Sequence, residues 1–441
     1  MKAFLLALAL TAPADTLQAD LSHPWSFREC VEWALENNLT VASQAVTLEE
    51  REVERQSAGW AFAPVVSAYA SENVNFGRGI GGDNTYQSGN SASTSFSLSG
   101  SMTLFDGLAT PRRLELAKLN LEAATADLAR AREDVRVAVA SAYLQVLFDY
   151  EIEGVARHQL GIDSLQVARL EGLFEAGKAS AAQVSEQKAS YAQSYLSLVQ
   201  AENNVTATLL DLAQLLELSD WDDFSILRPK LSFHAEDLPD PDDVYADALL
   251  SRPSVQAEQL RLKGTEKSLQ IAKAGYYPTL TLTGGLGTNY YTTFGTVPFW
   301  QQLGNNFSQY IGLSLNIPIF DRFYTRGQVR MARLNRTQQE IQLLRTERTL
   351  YKEIQQACIG AAGARAKWNA AQTASKAADD ALVLATAKYE NGKSTLTEFN
   401  EARARQVKAE SEALQATYEY LFQTDLIQYY RTGVWPDINW Q

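Results

Sequence analysis

Leu114-Glu115-Leu116-Ala117-Lys118-Leu119-Asn120 returns as Val329-Arg330-Met331-Ala332-Arg333-Leu334-Asn335, with 215 residues between matching positions. The same spacing relates Leu104-Phe105-Asp106-Gly107 to Ile319-Phe320-Asp321-Arg322 and Phe174-Glu175-Ala176-Gly177-Lys178 to Tyr389-Glu390-Asn391-Gly392-Lys393. Upstream it slips by one residue: Ala34-Leu35 and Pro64 match Ala248-Leu249 and Pro278 at a spacing of 214. A single offset held across most of the chain is the signature of an internal duplication, and two similar halves imply function by shape and assembly rather than by one asymmetric catalytic pocket.

Proline placement parses each half. No proline falls between Pro111 and Pro229, nor between Pro318 and Pro436. Proline is costly inside a helix, and both stretches are rich in Ala, Leu, Gln, Glu, Lys and Arg, so both read as long helical hairpins. In the first, Leu114, Leu121, Leu128, Val135 and Ala142 recur by sevens, and Ala117, Ala124, Ala131 and Ala138 fill a second seam three residues later. Large residues on one seam and alanine on the other suit close coiled-coil packing. A helix from about 107 to 172 would be roughly 100 Å long, a spanning element rather than a globular one. Gly177 and Gly392 break the hairpins, each followed within three residues by Lys and then Ser or Thr, as a helix stop and a new N-cap require.

Ahead of each hairpin the period changes to two. Phe96, Leu98, Met102 and Leu104 alternate with Ser97, Ser99, Ser101 and Thr103; Ile311, Leu313, Leu315, Ile317 and Ile319 alternate with Gly312, Ser314, Asn316 and Pro318. Leu280 and Leu282 alternate with threonines, and 65–71 does so more weakly. These are strands with one apolar and one small polar face. Turn-rich loops separate the paired strands, Gly77–Asn84 in the first half and about 289–306 in the second. Aromatics gather near the strand ends: Tyr69, Phe76, Phe96, Tyr290, Tyr291, Phe294, Phe299, Trp300, Phe307 and Tyr310. Such girdles flank the apolar band of membrane barrels. Four strands cannot enclose a lumen, so either chains pool strands, eight from two or twelve from three, or the strands form an ordinary sheet.

The expected organisation is an export signal over 1–19 (Lys2, the apolar run from Phe4 to Leu10, cleavage after Ala14 or Ala19), then a first repeat over 20–218. A Pro- and Asp-rich connector follows over 219–241, and a second repeat over 242–441, each repeat being helix (about 26–60 or 242–276), strand, loop, strand and helical hairpin. No Cys stands just after the signal and no later run approaches ~20 apolar residues, which leaves a secreted, periplasmic or outer-membrane barrel protein. The net charge of −13 argues against a nucleic-acid partner. Cys30 and Cys358 do not match between the halves and read as small buried apolar residues rather than a disulfide. His23, His158 and His234 lack metal-ligand spacing. No nucleophile or acid–base set is visible, so neither an enzyme nor a cofactor is expected.

Trp25-Ser26-Phe27-Arg28-Glu29-Cys30, Ala34-Leu35-Glu36-Asn37-Asn38, Ala63-Pro64, Tyr277-Pro278, the Leu104-Phe105-Asp106-Gly107 exit and the two hairpin turns, Phe174 to Val184 and Tyr389 to Phe399, form an ordered set. It covers the mature chain and resembles the TolC-type outer-membrane channel family. The resemblance implies an α+β membrane protein of a Gram-negative outer membrane: a homotrimer whose four transmembrane β-strands per chain complete a 12-stranded β-barrel, continuous with a periplasmic α-barrel of helical hairpins. The implied activity is passive export, as the exit duct of a tripartite efflux or type I secretion system, with a periplasmic adaptor and an inner-membrane pump as partners. It also implies that Glu398 and Glu401, i, i+3 on one helix face, line a gated entrance at which three chains crowd six carboxylates and raise some of their pKa values. The first-half counterparts are Gln183 and Glu186. Gly177, Lys178, Gly392 and Lys393 are the candidate adaptor-docking turns, Arg78 is a solvated loop charge, and Phe105 and Phe320 are packing residues. The competing reading is an exported coiled-coil scaffold or adhesin without a pore.

Overall fold

A computed structural model describes residues 21–80, 85–228, 238–292, 297–433 and 435. The signal segment, Gly81 to Asn84, His234, Phe294 and the 229–237 part of the connector lie outside the described residues. Contacts divide the chain into two compact units: Met1–Ala45, Asp127–Val255 and Thr346–Gln441 form the first, and Val46–Ala126 with Gln256–Arg345 the second. Each unit draws on both sequence repeats, so the duplication and the compact units partition the chain differently.

The elements run α1 (Phe27–Asn37), α2 (Leu39–Trp60), β1 (Val65–Asn75), β2 (Arg78–Ile80), β3 (Tyr86–Ser88), β4 (Ser91–Phe105), α3 (Ala109–Glu175), α4 (Ala181–Leu215), α5 (Pro241–Ser251), α6 (Pro253–Ala274), β5 (Thr279–Tyr291), α7 (Phe299–Asn305), β6 (Ser308–Asn316), α8 (Tyr324–Glu390) and α9 (Leu396–Thr432). α3 and α8 are each 67 residues long, as the two proline-free stretches require. No described helix is long and apolar enough to cross a membrane.

The helix expected at the start of each repeat is two helices. In the first, Asn38 adopts extended backbone between α1 and α2. Its Oδ1 accepts from the Thr40 N–H at 2.9 Å and its Nδ2 donates to the Leu215 carbonyl at 3.0 Å. In the second, Arg252 is extended ahead of Pro253, whose ring disfavours helical backbone at the preceding residue. The breaks fall at equivalent positions, 214 apart.

The second unit is built around one antiparallel sheet in the order β1-β4-β5-β6. The central pair, β4 with β5, joins the two repeats. Register aligns Val66 with Gly100, Leu98 with Leu286, Met102 with Leu282 and Leu282 with Leu313. Residues directly opposite one another share a face. One face therefore carries Val66, Ala68, Phe96, Leu98, Met102, Leu282, Leu286, Ile311 and Leu313, and the other is mainly Ser, Thr and Gly. The alternation expected of the strands is present, yet the apolar face is uncovered within the chain, with Ile311 81% and Leu313 63% exposed. Large exposed aromatics cluster at both strand ends: Phe76, Tyr86, Trp300, Phe307 and Tyr310 at one, Tyr276, Tyr277, Phe320, Phe323 and Tyr324 at the other. Phe105 and Phe320 are exposed in the single chain, Phe320 meeting Phe323 edge-on at 5.6 Å.

The two expected loops hold local structure. β2 pairs with β3, and the exposed Arg78 lies over the exposed Tyr86 ring at 5.4 Å. α7 occupies the second loop, where Thr288 donates to the Leu303 carbonyl at 2.6 Å. β6 ends at Asn316, so Ile317 and Ile319 lie beyond it.

The duplication extends to the backbone at the strand-to-helix junctions. Gly107 and Leu108 have φ of +68° and +66°, and Arg322 and Phe323 have +56° and +64°. Asp106 and Asp321 then cap α3 and α8 by accepting from the N–H of Thr110 (3.0 Å) and Thr325 (2.8 Å). At Gly107 a Cβ would sit 2.8 Å from the Ala274 carbonyl oxygen, so the close approach there also requires glycine.

In the first unit the α3 seam is buried through Leu128, Ala131 and Val135. Tyr143, Tyr429 and Trp435 continue the core. Part of the connector is ordered here: Trp25 pairs with the 225–227 segment through Trp25 N–H to Ser225 O (2.9 Å) and Leu227 N–H to Trp25 O (2.8 Å). Cys30 and Cys358 are buried and not disulfide-bonded, and burial pushes both thiols up.

Candidate functional site

The α3–α4 and α8–α9 turns are built alike. Gly177 (φ +70°) and Gly392 (φ +69°) take left-handed backbone that glycine adopts without strain. The Lys178 and Lys393 N–H groups reach back to the carbonyls of Leu173 (2.7 Å) and Lys388 (2.8 Å), while the Gly177 and Gly392 N–H groups reach Phe174 and Tyr389. This is the Schellman closure of a helix C-terminus. Both lysine side chains are exposed. Three residues after each glycine a capping box opens the next helix. Ser180 Oγ accepts from the Gln183 N–H at 3.2 Å and Gln183 Oε1 accepts from the Ser180 N–H at 2.9 Å. Thr395 and Glu398 repeat the arrangement at 3.2 and 3.3 Å.

Folding brings the two turns together. Leu170 of α3, Val184 of α4, and Leu396 and Phe399 of α9 form one buried cluster, with Tyr389 stacked on Phe399 at 5.2 Å and 17°. Thr397 Oγ1 donates to Glu186 Oε1 at 2.9 Å, a link between the hairpins. Gln183, Glu186, Glu398 and Glu401 therefore share one end of one helical cluster, as their sequence matching implies.

Within the chain the two glutamates of α9 differ. Glu398 is the capping-box carboxylate. It accepts from Ser394 Oγ at 2.5 Å and from the Thr395 N–H, and these bonds hold its carboxyl below the ordinary carboxylate range. The Lys388 charge adds a small pull in the same direction. The crowding expected to raise carboxylate pKa values has no counterpart inside one chain. Glu401 meets Arg405 at 3.2 Å, an exposed i, i+4 pair of the kind that contributes little to stability.

A buried polar network just behind the turns is absent from the sequence reading. Asp163 is fully buried and Arg403 is 3% exposed; their ion pair is 2.8 Å. Asp163 also accepts from Gln187 Nε2 (2.8 Å), Ser194 Oγ (2.6 Å) and Gln159 Nε2 (3.0 Å), while Arg403 Nη2 donates to the Gln159 carbonyl at 3.1 Å. The network ties α3, α4 and α9 together. Its signal was available: counting by sevens onward from Ala142 reaches Asp149, Ala156 and Asp163, so two carboxylates fall on an apolar seam, and both are buried. No group of three or more metal-ligating side chains occurs among the described residues.

A family model described as outer membrane efflux protein matches residues 31–217 and 244–425, one segment in each repeat. Outer membrane protein TolC of Escherichia coli is 23% identical over 356 residues, covering 78% of this chain and 71% of TolC. Outer membrane protein OprJ of Pseudomonas aeruginosa is 26% identical over 141 residues, so the matched part spans 32% of this chain and only 28% of that relative's length. The crystal structure of the outer membrane protein VceC from Vibrio cholerae superposes with a TM-score of 0.78 at 20% identity, covering 92% of this chain and 96% of that one; at that identity the likeness speaks to the fold.

Proposed function

This chain belongs to the outer membrane efflux protein family, a transport family of the Gram-negative outer membrane whose members reach into the periplasm, and from that premise we propose that it is the exit duct of a tripartite efflux or type I secretion system. The observation that carries the reading is the β1-β4-β5-β6 sheet. It has an uncovered apolar face, a Ser/Thr/Gly face, aromatics at both strand ends and two open edges, β1 and β6. Unpaired edges are not tolerated in lipid, so the sheet has to be completed by other copies. Three chains supply twelve strands with the apolar face toward lipid and the small polar face toward the lumen, and the paired helical hairpins of three chains continue the wall as a periplasmic α-barrel. The 1–19 segment directs export, and the 20–218 and 242–441 repeats, joined at 219–241, each furnish two strands and one hairpin. The matched relatives are outer-membrane proteins, and nothing favours a scaffold without a pore.

The hairpin turns form the periplasmic entrance in this reading. Glu398 and Glu401 supply the acidic constriction, Gln183 and Glu186 flank it, and the Gly177-Lys178 and Gly392-Lys393 turns present exposed lysines to an adaptor that couples the duct to an inner-membrane pump. Repulsion among three copies would oppose the local bonds that depress the Glu398 carboxyl.

Single-channel conductance in planar bilayers tests this, comparing wild type with Glu398→Gln/Glu401→Gln. Glutamine at 398 preserves the capping box, since Gln183 already serves the first hairpin in that way, so the variant removes charge without melting the turn. A trimeric wild type with small cation-favouring conductance, rising or losing cation preference in the variant, is expected. A pore indifferent to both substitutions discards the gate residues, and a folded protein that neither trimerises nor conducts discards the duct.

A further inference from the structure

Helices α3, α4 and α9 line a half-open cavity of about 460 Å³ behind the α3–α4 and α8–α9 turns. That is within the range of about 300–1,000 Å³ typical of small-molecule sites. Ile152 and Val155 of α3 and Val407 of α9 give it an apolar body, while Ser194, Asn400 and Arg403 line its polar part. Arg403 is 3% exposed; its Nη1 lies 2.8 Å from Asp163 Oδ1 in the ion pair and its Nη2 donates to the Gln159 carbonyl, but its Nε has neither an acceptor nor a counter-charge beside it. The buried Oδ1 of Asn400 has no donor. Residues 400 and 403 are i, i+3 and share a helix face, so an orphan donor and an orphan acceptor sit side by side on one wall. Buried groups left in this state are costly, and native proteins satisfy them.

Charge narrows the occupant. Asp163 and Arg403 neutralise each other, and the remaining charged lining residue, Lys408, is largely exposed and lies 3.9 Å from Glu412. The wall holds no surplus charge to offset that of a buried ion. We infer that the cavity binds a small neutral molecule with an apolar body and one hydroxyl or primary amide head, the head accepting from Arg403 Nε and donating to Asn400 Oδ1. The site is formed by helices of one chain, so the inference stands or falls without the duct reading.

Three probes of matched shape test it by fluorescence titration of the full-length protein in detergent-free amphipol: 1-naphthol, which donates and accepts, 1-methoxynaphthalene, which only accepts, and naphthalene. Saturable binding of 1-naphthol at one site per chain is expected, about tenfold tighter than naphthalene, the yield of one or two net hydrogen bonds. Val407→Trp fills the body of the cavity and removes saturation, and Asn400→Leu keeps the cavity and the Arg403 donor but removes the acceptor, bringing 1-naphthol down to the affinity of 1-methoxynaphthalene. Linear partitioning of all three probes into the wild type overturns the proposal, leaving a cavity occupied by water alone. Saturable binding with no preference for 1-naphthol overturns the head-group assignment, whether or not either variant folds.

Discussion

At the first hairpin turn a glycine at φ +70° is followed by a serine cap and a neutral Gln183; at the second, a glycine at φ +69° is followed by a threonine cap and a charged Glu398. Both capping boxes close with the same two hydrogen bonds, so a neutral amide and a carboxylate serve the geometry equally. The charge of Glu398 is thus not demanded by the turn. A second difference lies just behind. Asp163 and Arg403 bind the first arm of one hairpin to the second arm of the other close to their turns, but 215 residues from them in the matching positions stand Ala378 and Lys188. Lys188 instead pairs with Glu171 at 2.7 Å on the surface. The duplicated scaffold therefore carries a buried latch in one of its two possible places, and asymmetry enters the structure at the end where an entrance is proposed.

The largest effect expected from breaking that asymmetry is at the buried pair. Asp163→Ala leaves a buried guanidinium without its counter-ion and should cost about 3–5 kcal/mol. Glu171→Ala, which removes the exposed pair at the neighbouring position, should cost under about 1 kcal/mol. Denaturant unfolding of the purified protein separates the two, and equal costs would mean that the latch is no more than a surface contact.

Smaller, and equal in the two hairpins, is the penalty for Gly177→Ala and Gly392→Ala, about 1–2 kcal/mol each for a Cβ in left-handed backbone. Limited proteolysis at the turns measures it, and a clear inequality would show that the two closures differ despite matching angles. Next is the pH response. Glu398 is depressed below its unfolded value, so its contribution is present above about pH 4.3 and fades as pH falls through the lower folded value. Gln183 has no such dependence. A spin label at Lys393 should therefore gain mobility on acidification before one at Lys178, and Glu398→Gln should abolish the difference. Smallest of all is Glu401→Gln, which loses only the exposed Arg405 pair and should shift stability by under about 0.5 kcal/mol, leaving any conductance change attributable to charge.

Much of the fold was legible because its determinants are local. Helix breaks at Gly177 and Gly392, caps at Ser180 and Thr395, and the period-two strands each depend on a few adjacent residues. The helix broken at Asn38 and Arg252 was missed because Pro253 and the Asn37-Asn38 pair were weighed less than the surrounding apolar pattern. The β2–β3 hairpin was missed because glycine and polar residues there hide strand pairing. The candidate carboxylates were found through family resemblance, while the capping role of Glu398 followed from Thr395 and its position three residues on, a pattern already visible in sequence.

Sequence alone determined the duplication, the two long hairpins, the strands and their apolar face, and the turns, since periodicity, proline exclusion and glycine stereochemistry act through neighbouring residues. Only tertiary structure decided that β4 and β5 join the repeats at the centre of the sheet, that the compact units interleave the two halves, and that Asp163 meets Arg403 across 240 residues of chain. Those outcomes depend on which faces meet in space, and a buried charge reveals its partner only once the helices that carry both have packed.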